Sequence, residues 1–150
     1  MTIDEAVVFA TTGARDLHCD VFHPPQPGSG RTAVLLLHGG AWMVGDRSPL
    51  RGYGILLARY GLVCIASEYR LWGEAHWPAQ VHDVKAAVRW VRANAEHLGT
   101  KGIGFVDFLG GDFEAGAEEM DESIRHAMMA GSTRRGLALE QGDLVEVVHD

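Results

Sequence analysis

The sequence predicts an α/β fold: a mostly parallel sheet with flanking helices and an antiparallel hairpin at its N-terminal edge. Three observations predict it. Two continuous apolar runs of strand length, residues 33–37 and 62–66, have the pattern of strands buried on both faces. A glycine-rich loop, Gly39 to Gly45, follows the first run at once. Beyond the second, apolar positions recur at helical spacing from Val81 to Leu98. Strands that alternate with helices are joined by crossovers, and crossovers produce a parallel sheet layered by helices.

In chain order, residues 6–10 and 17–22 read as two strands around Thr12-Gly13-Ala14-Arg15, a hairpin at a sheet edge. Pro24 to Gly30 is a turn-rich connector. Ala33 to Leu37 is the first buried strand, and Pro49 to Tyr60 has helical character with Gly61 as its terminator. Leu62 to Ala66 is the next buried strand. Pro78 suits the first position of a helix carrying Val81, Val84, Val88, Val91, Ala95 and Leu98 on one face and stopping at Gly99. Beyond it, residues 105–109 read as a strand, Ala117, Met120, Ile124 and Ala127 as a helix face, and residues 144–148 as a strand.

Charge divides the 150-residue chain. Residues 1–99 hold nine Lys+Arg and nine Asp+Glu, whereas residues 100–150 hold four and eleven, so the whole net charge of −7 lies in the last third. All four tryptophans, three tyrosines and five prolines precede Gly99. Two parts are expected: 1–99 as the N-terminal part of one domain, and 100–150 as an acidic tail of divergent character that could complete it. An acidic chain without a Lys/Arg stripe is a poor partner for nucleic acid. No apolar run approaches a membrane span, and the first ten residues lack the basic-then-apolar pattern of a secretory signal, so a cytoplasmic protein with no membrane partner is expected. Cys19 and Cys64, alone in apolar segments, read as small buried hydrophobes. No metal-ligand spacing is present among the eight histidines, and no cofactor is implied.

A buried strand ending in His38-Gly39-Gly40-Ala41-Trp42 puts small residues at the C-terminal edge of a parallel sheet, where open α/β folds bind ligands. Missing side chains let backbone N–H groups approach a ligand closely. Glycine serves a tight turn equally well, and composition alone leaves both roles open.

VLLLHGGAW, then Gly45-Asp46-Arg47-Ser48, then Ser67-Glu68-Tyr69-Arg70-Leu71 and Trp77-Pro78-Ala79-Gln80 with Asp83 and Val91, resembles the hormone-sensitive-lipase-like and carboxylesterase branch of the α/β-hydrolases. The resemblance covers residues 1 to about 99 and implies a serine carboxylic-ester hydrolase acting on a small-molecule ester-like ligand. It implies that the N–H groups of Gly40 and Ala41 form an oxyanion hole, that His38 and Gly39 shape the loop, and that Trp42 lines the acyl or alcohol pocket. Removing such a donor typically costs roughly 100- to 1,000-fold in rate. Arg70 and Asp83 match the family's structural polar pair.

The departure is as plain. The family's next strand ends in G-x-S-x-G, and this chain contains no such motif. Its five serines are Ser29, Ser48, Ser67, Ser123 and Ser132, none at a glycine-flanked strand-to-helix turn. Where the elbow is expected stand Gly110-Gly111-Asp112-Phe113, with Phe113 in the serine position or, one register away, Asp112 as a carboxylate nucleophile. Asp112 serves equally as a helix N-cap. Asp143 and His149 echo the family's acid-then-histidine order, and His126 lies in the tail helix. A truncated or inactive hydrolase is therefore expected, with two alternatives: a non-catalytic binding protein using the remnant pocket, or an Asp112-dependent hydrolase. Loss of the following strands would bare a sheet edge, for which a homodimer is the expected cover.

Overall fold

The computed structural model describes residues 1–107. Nine-residue β1 (Ile3–Thr11) and β2 (Asp16–Phe22) form the expected hairpin, closed by Thr12, whose hydroxyl donates to the Arg15 carbonyl and accepts from the Ala14 and Arg15 amides. β1 starts three residues earlier than its alternation indicates. It is kinked at Ala6, where φ is +52° and the amide donates to Asp20 Oδ1 at 2.8 Å.

β3 (Arg31–Leu37) and β4 (Val63–Ser67) are the two apolar runs, and β5 (Thr100–Asp107) follows Gly99 at once. The sheet order is β1-β2-β4-β3-β5. β1/β2 and β2/β4 pair antiparallel, and β4/β3 and β3/β5 pair parallel, so the hairpin is grafted onto the edge of a parallel layer. β5 begins five residues before the expected 105–109. Lys101, Gly102 and Gly104 hide it from an apolar-run criterion, and it is the ladder on β3, Arg31 opposite Thr100 to Leu37 opposite Asp107, that makes it a strand.

The helices cover both faces. After a 3₁₀ turn at Ser48–Leu50, α1 (Arg51–Arg59) buries Leu57 and Ala58 with Leu50 against Phe22, Val34, Leu36, Cys64 and Ala66. Gly54 lets α1 approach β2: a Cβ there would lie 2.5 Å from the Phe22 ring. α2 (Ala79–Ala93) buries Ala87 and Val91 on the opposite face, against Leu17, Val21, Leu35, Val63 and Ile65. The single helix expected to Gly99 is interrupted at Asn94, whose side-chain amide donates to the Trp90 carbonyl at 2.8 Å, and it resumes as α3 (Ala95–Leu98). Pro78 precedes α2 instead of opening it, after a cis Trp77–Pro78 peptide.

Cys19 and Cys64 are fully buried free thiols. Burial pushes Cys19 up to about 12 and raises Cys64 as well, so both are protonated, unreactive packing groups at neutral pH. Among the described residues no helix is long and apolar enough to cross a membrane.

Candidate functional site

β3 and β4 run parallel in register, Leu37 opposite Ser67. Both chains therefore leave the sheet side by side at its C-terminal edge, and two loops meet there: residues 38–47 after β3 and residues 68–78 after β4.

His38 is buried, 5% exposed. Its ring stacks on that of Tyr69, centroids 4.3 Å apart and planes 12° off parallel, and its Nδ1 lies 2.8 Å from the Gly39 carbonyl. Three successive residues then take positive φ: Gly40 at +119°, Ala41 at +51° and Trp42 at +62°. The last two lie in the left-handed region, which costs a non-glycine residue about 1–3 kcal/mol and persists only where the surroundings enforce it. The turn is closed by the Met43 and Val44 amides, both donating to the Gly40 carbonyl at 2.9 and 3.2 Å. Gly40 is obligatory. A Cβ at this position would stand 2.0 Å from the Val44 carbonyl oxygen.

The Gly40 and Ala41 N–H groups have no hydrogen-bond acceptor among the described residues. Two neighbouring amides with no partner among the described residues, at the C-terminal end of a parallel strand, are free to donate to a ligand oxygen. Beside them lies an aromatic rim. Trp42 and Trp77 stack with centroids 5.5 Å apart and stay 46% and 57% exposed, and Trp72 meets His76 edge-on at 4.5 Å.

The second loop is fixed by ion pairs. Glu68 accepts from Arg47 Nη1 at 2.9 Å, from Arg15 Nη1 at 2.6 Å and from the His18 amide at 2.8 Å. Arg47 Nε lies 3.1 Å from Asp20 Oδ1, close enough for charge attraction but not aligned for a hydrogen bond. Burial works to raise the Glu68 carboxyl, yet the hydrogen bonds from the His18 amide and Arg15 outweigh it and hold the group below its ordinary value. Arg15 also grips Glu74 at 2.5 Å and lowers that carboxyl. The expected Arg70 and Asp83 pair is formed: Asp83, 3% exposed, accepts from the Arg70 amide, Nε and Nη2 at 2.9, 2.9 and 2.7 Å. This ties the second loop to the first turns of α2.

His38, Gly39, Gly40, Ala41 and Trp42 thus stand together in one loop, while Asp112, Phe113, His126, Asp143 and His149 lie outside the described residues. Of the described serines, Ser67 is 0% exposed and Ser48 opens the 3₁₀ turn. Sequence reasoning quoted Arg47, Glu68, Tyr69, and Trp77 inside motifs without giving them roles, and left Trp72 unremarked. Their signal was position: each lies within a few residues of a loop that follows a buried strand.

Residues 19–138 match the family model described as BD-FAE. Among curated proteins, Esterase LipC of Mycobacterium tuberculosis is 40% identical over 68 residues, 44% of this chain and 17% of that protein. Arylacetamide deacetylase of Oryctolagus cuniculus is 33% identical over 94 residues, 59% of this chain and 23% of that protein. A solved esterase from the Planctomycetes species Thermogutta terrifontis is 30% identical, with a TM-score of 0.60 over 75% of this chain and 41% of the other. The chain spans less than half the length of each of these relatives.

Proposed function

The chain belongs to the BD-FAE family, within the carboxylesterase-like branch of the α/β-hydrolases, and from that premise we propose that it supplies the ester-recognition half of a carboxylic-ester hydrolase. The observation that carries this reading is the pair of unpaired amides at Gly40 and Ala41, held in a loop that only glycine at position 40 can form. They are the oxyanion donors: they receive the carbonyl oxygen of an ester, or one oxygen of a carboxylate product. Fixed dipoles in place cost no reorganisation as charge develops, which is why such donors favour the transition state. Trp42 and Trp77 supply exposed apolar surface beside them for the acyl or alcohol group.

Hydrolysis further needs a nucleophile, a base and an acid. The sequence contains no G-x-S-x-G, and Ser67, the serine nearest the loop in the sheet register, is fully buried at a strand end. The reading is therefore recognition without turnover by this chain.

The test pairs two measurements on the purified chain and on Gly40→Pro, which removes the N–H of position 40 and, with φ fixed at about −65° against the +119° of Gly40, the shape of the loop as well. Butyrate is titrated against the Gly40 and Ala41 amides by ¹H–¹⁵N correlation, and p-nitrophenyl butyrate hydrolysis is followed by absorbance. Saturable downfield shifts at both wild-type amides, lost at the remaining Ala41 amide in Gly40→Pro, with hydrolysis at background in both proteins, is the expected result. No shift at either amide removes the recognition reading, and turnover that collapses in Gly40→Pro removes the claim that a nucleophile is missing.

A further inference from the structure

The strained loop that carries the two donors does not hold itself. Ala41 and Trp42 sit in the left-handed region, and the turn bonds to the Gly40 carbonyl lie inside the loop. Outside contacts come from Trp77, stacked on Trp42, from Asp20 beside Arg47, and, among the described residues, at three separated points from one five-residue stretch just past β4, residues 68–72.

At the loop's start, the Tyr69 hydroxyl donates to the His38 carbonyl at 2.6 Å while its ring stacks on the His38 imidazole. Both side chains are buried, so water cannot easily replace that bond. At its middle, the Trp72 amide donates to the Trp42 carbonyl at 2.8 Å. At its end, Glu68 takes Arg47 Nη1 at 2.9 Å, with Asp20 beside the same guanidinium. Glu68 is itself fixed from the other side by Arg15 and the His18 amide. The carbonyls of His38 and Trp42 bracket the peptide units that bear the Gly40 and Ala41 N–H groups. With both brackets pinned, the range of directions open to the two N–H vectors is narrowed.

We infer that segment 68–72 is the template of the ester-carbonyl donors, with Tyr69, Glu68 and the Trp72 amide as positioning groups that never touch the ligand. This rests on the reading of Gly40 and Ala41 given above. It assigns a role to the Glu68-Tyr69 pair that packing alone would not require: a phenylalanine at 69 would fill the same space and stack on His38, but without the hydroxyl that donates to the His38 carbonyl at 2.6 Å and lies 3.3 Å from His38 Nδ1.

The test uses Tyr69→Phe, which keeps the ring and removes the hydroxyl that holds the His38 carbonyl, and, at the far end of the loop, Arg47→Gln with Arg47→Lys as the charge-conserving comparison. Two readouts are taken on the full chain: hydrogen exchange at the Met43 and Val44 amides, which report loop closure without any ligand, and butyrate affinity at the Gly40 and Ala41 amides. Losing one ordinary hydrogen bond corresponds to about three- to tenfold in either readout. The expected result is about three- to tenfold faster exchange at Met43 and Val44 and about three- to tenfold weaker butyrate binding, with β3 and β4 amides unchanged. Arg47→Lys is expected to recover part of the loss seen in Arg47→Gln.

Exchange at Met43 and Val44 equal to wild type in both Tyr69→Phe and Arg47→Gln overturns the inference. Acceleration spread equally over the sheet also overturns it, since that is general destabilisation. If wild type binds no butyrate, the donor reading fails, and exchange at Met43 and Val44 still decides whether segment 68–72 holds the loop. Should Tyr69→Phe not fold, the Arg47 pair carries the same decision.

Discussion

Replacing Gly40 by alanine tests the loop at its most constrained point. The added Cβ would stand 2.0 Å from the Val44 carbonyl oxygen and 2.8 Å from its carbon, and φ at this residue is +119°. The obstruction is backbone, so no side-chain rotation relieves it. If the loop keeps its shape, the conformation alone costs about 1–3 kcal/mol. If it yields, the Met43 and Val44 bonds to the Gly40 carbonyl are given up, at about 0.5–1.5 kcal/mol each. By either route Gly40→Ala is expected to lose about 1–3 kcal/mol. Urea unfolding followed by tryptophan fluorescence measures this as a lower midpoint at unchanged slope. Gly52 in α1 is the control, because a Cβ there meets nothing within 4 Å. Gly52→Ala is expected to gain about 0.5–1 kcal/mol through the reduced freedom of the unfolded chain. Wild-type stability in Gly40→Ala, with unshifted Met43 and Val44 amides, would refute the claim that this position admits only glycine.

Two further outcomes follow from the ion pairs. Glu68 sits below its ordinary pKa because hydrogen bonds to its charged form outweigh burial, so the native state binds its proton more weakly than the unfolded chain. The stability it contributes is full above the unfolded value of about 4.3 and disappears as pH falls through the native one. Urea midpoints measured down through the acid range should therefore fall more steeply for wild type than for Glu68→Gln, which starts lower at pH 7; parallel curves would count against it. Asp83→Ala removes three hydrogen bonds from Arg70 to a buried carboxylate and is expected to cost about 2–4 kcal/mol in the same assay. A loss below about 0.5 kcal/mol would mean that Arg70 finds equal partners in solvent.

The elements that sequence reasoning located well are those whose signal is local. Val34 to Leu37 and Val63 to Ala66 are buried on both sheet faces, so each is apolar without alternation and visible as a run. α2 shows its period because one side faces the sheet and the other water. The start of β5 was read five residues late because Lys101, Gly102 and Gly104 owe their extended form to β3 rather than to their own preference. Asn94 ends α2 by bonding back to the Trp90 carbonyl, a side-chain choice that apolar periodicity does not register.

The same division runs through the site. His38, Gly39, Gly40, Ala41 and Trp42 are contiguous and follow a strand, so the motif, its family and its place at a sheet edge were all contained in the order of residues. The sequence alone also determined that no G-x-S-x-G accompanies that motif. Only the tertiary structure decided that Tyr69 meets His38, that Arg47 meets Glu68 and Asp20, and that Trp42 stacks on Trp77. Those contacts span 31, 21, 27 and 35 residues and depend on β4 lying between β2 and β3. A pattern of apolar and polar residues states which face of a strand is buried, whereas the identity of its neighbour is settled by how all the strands pack at once.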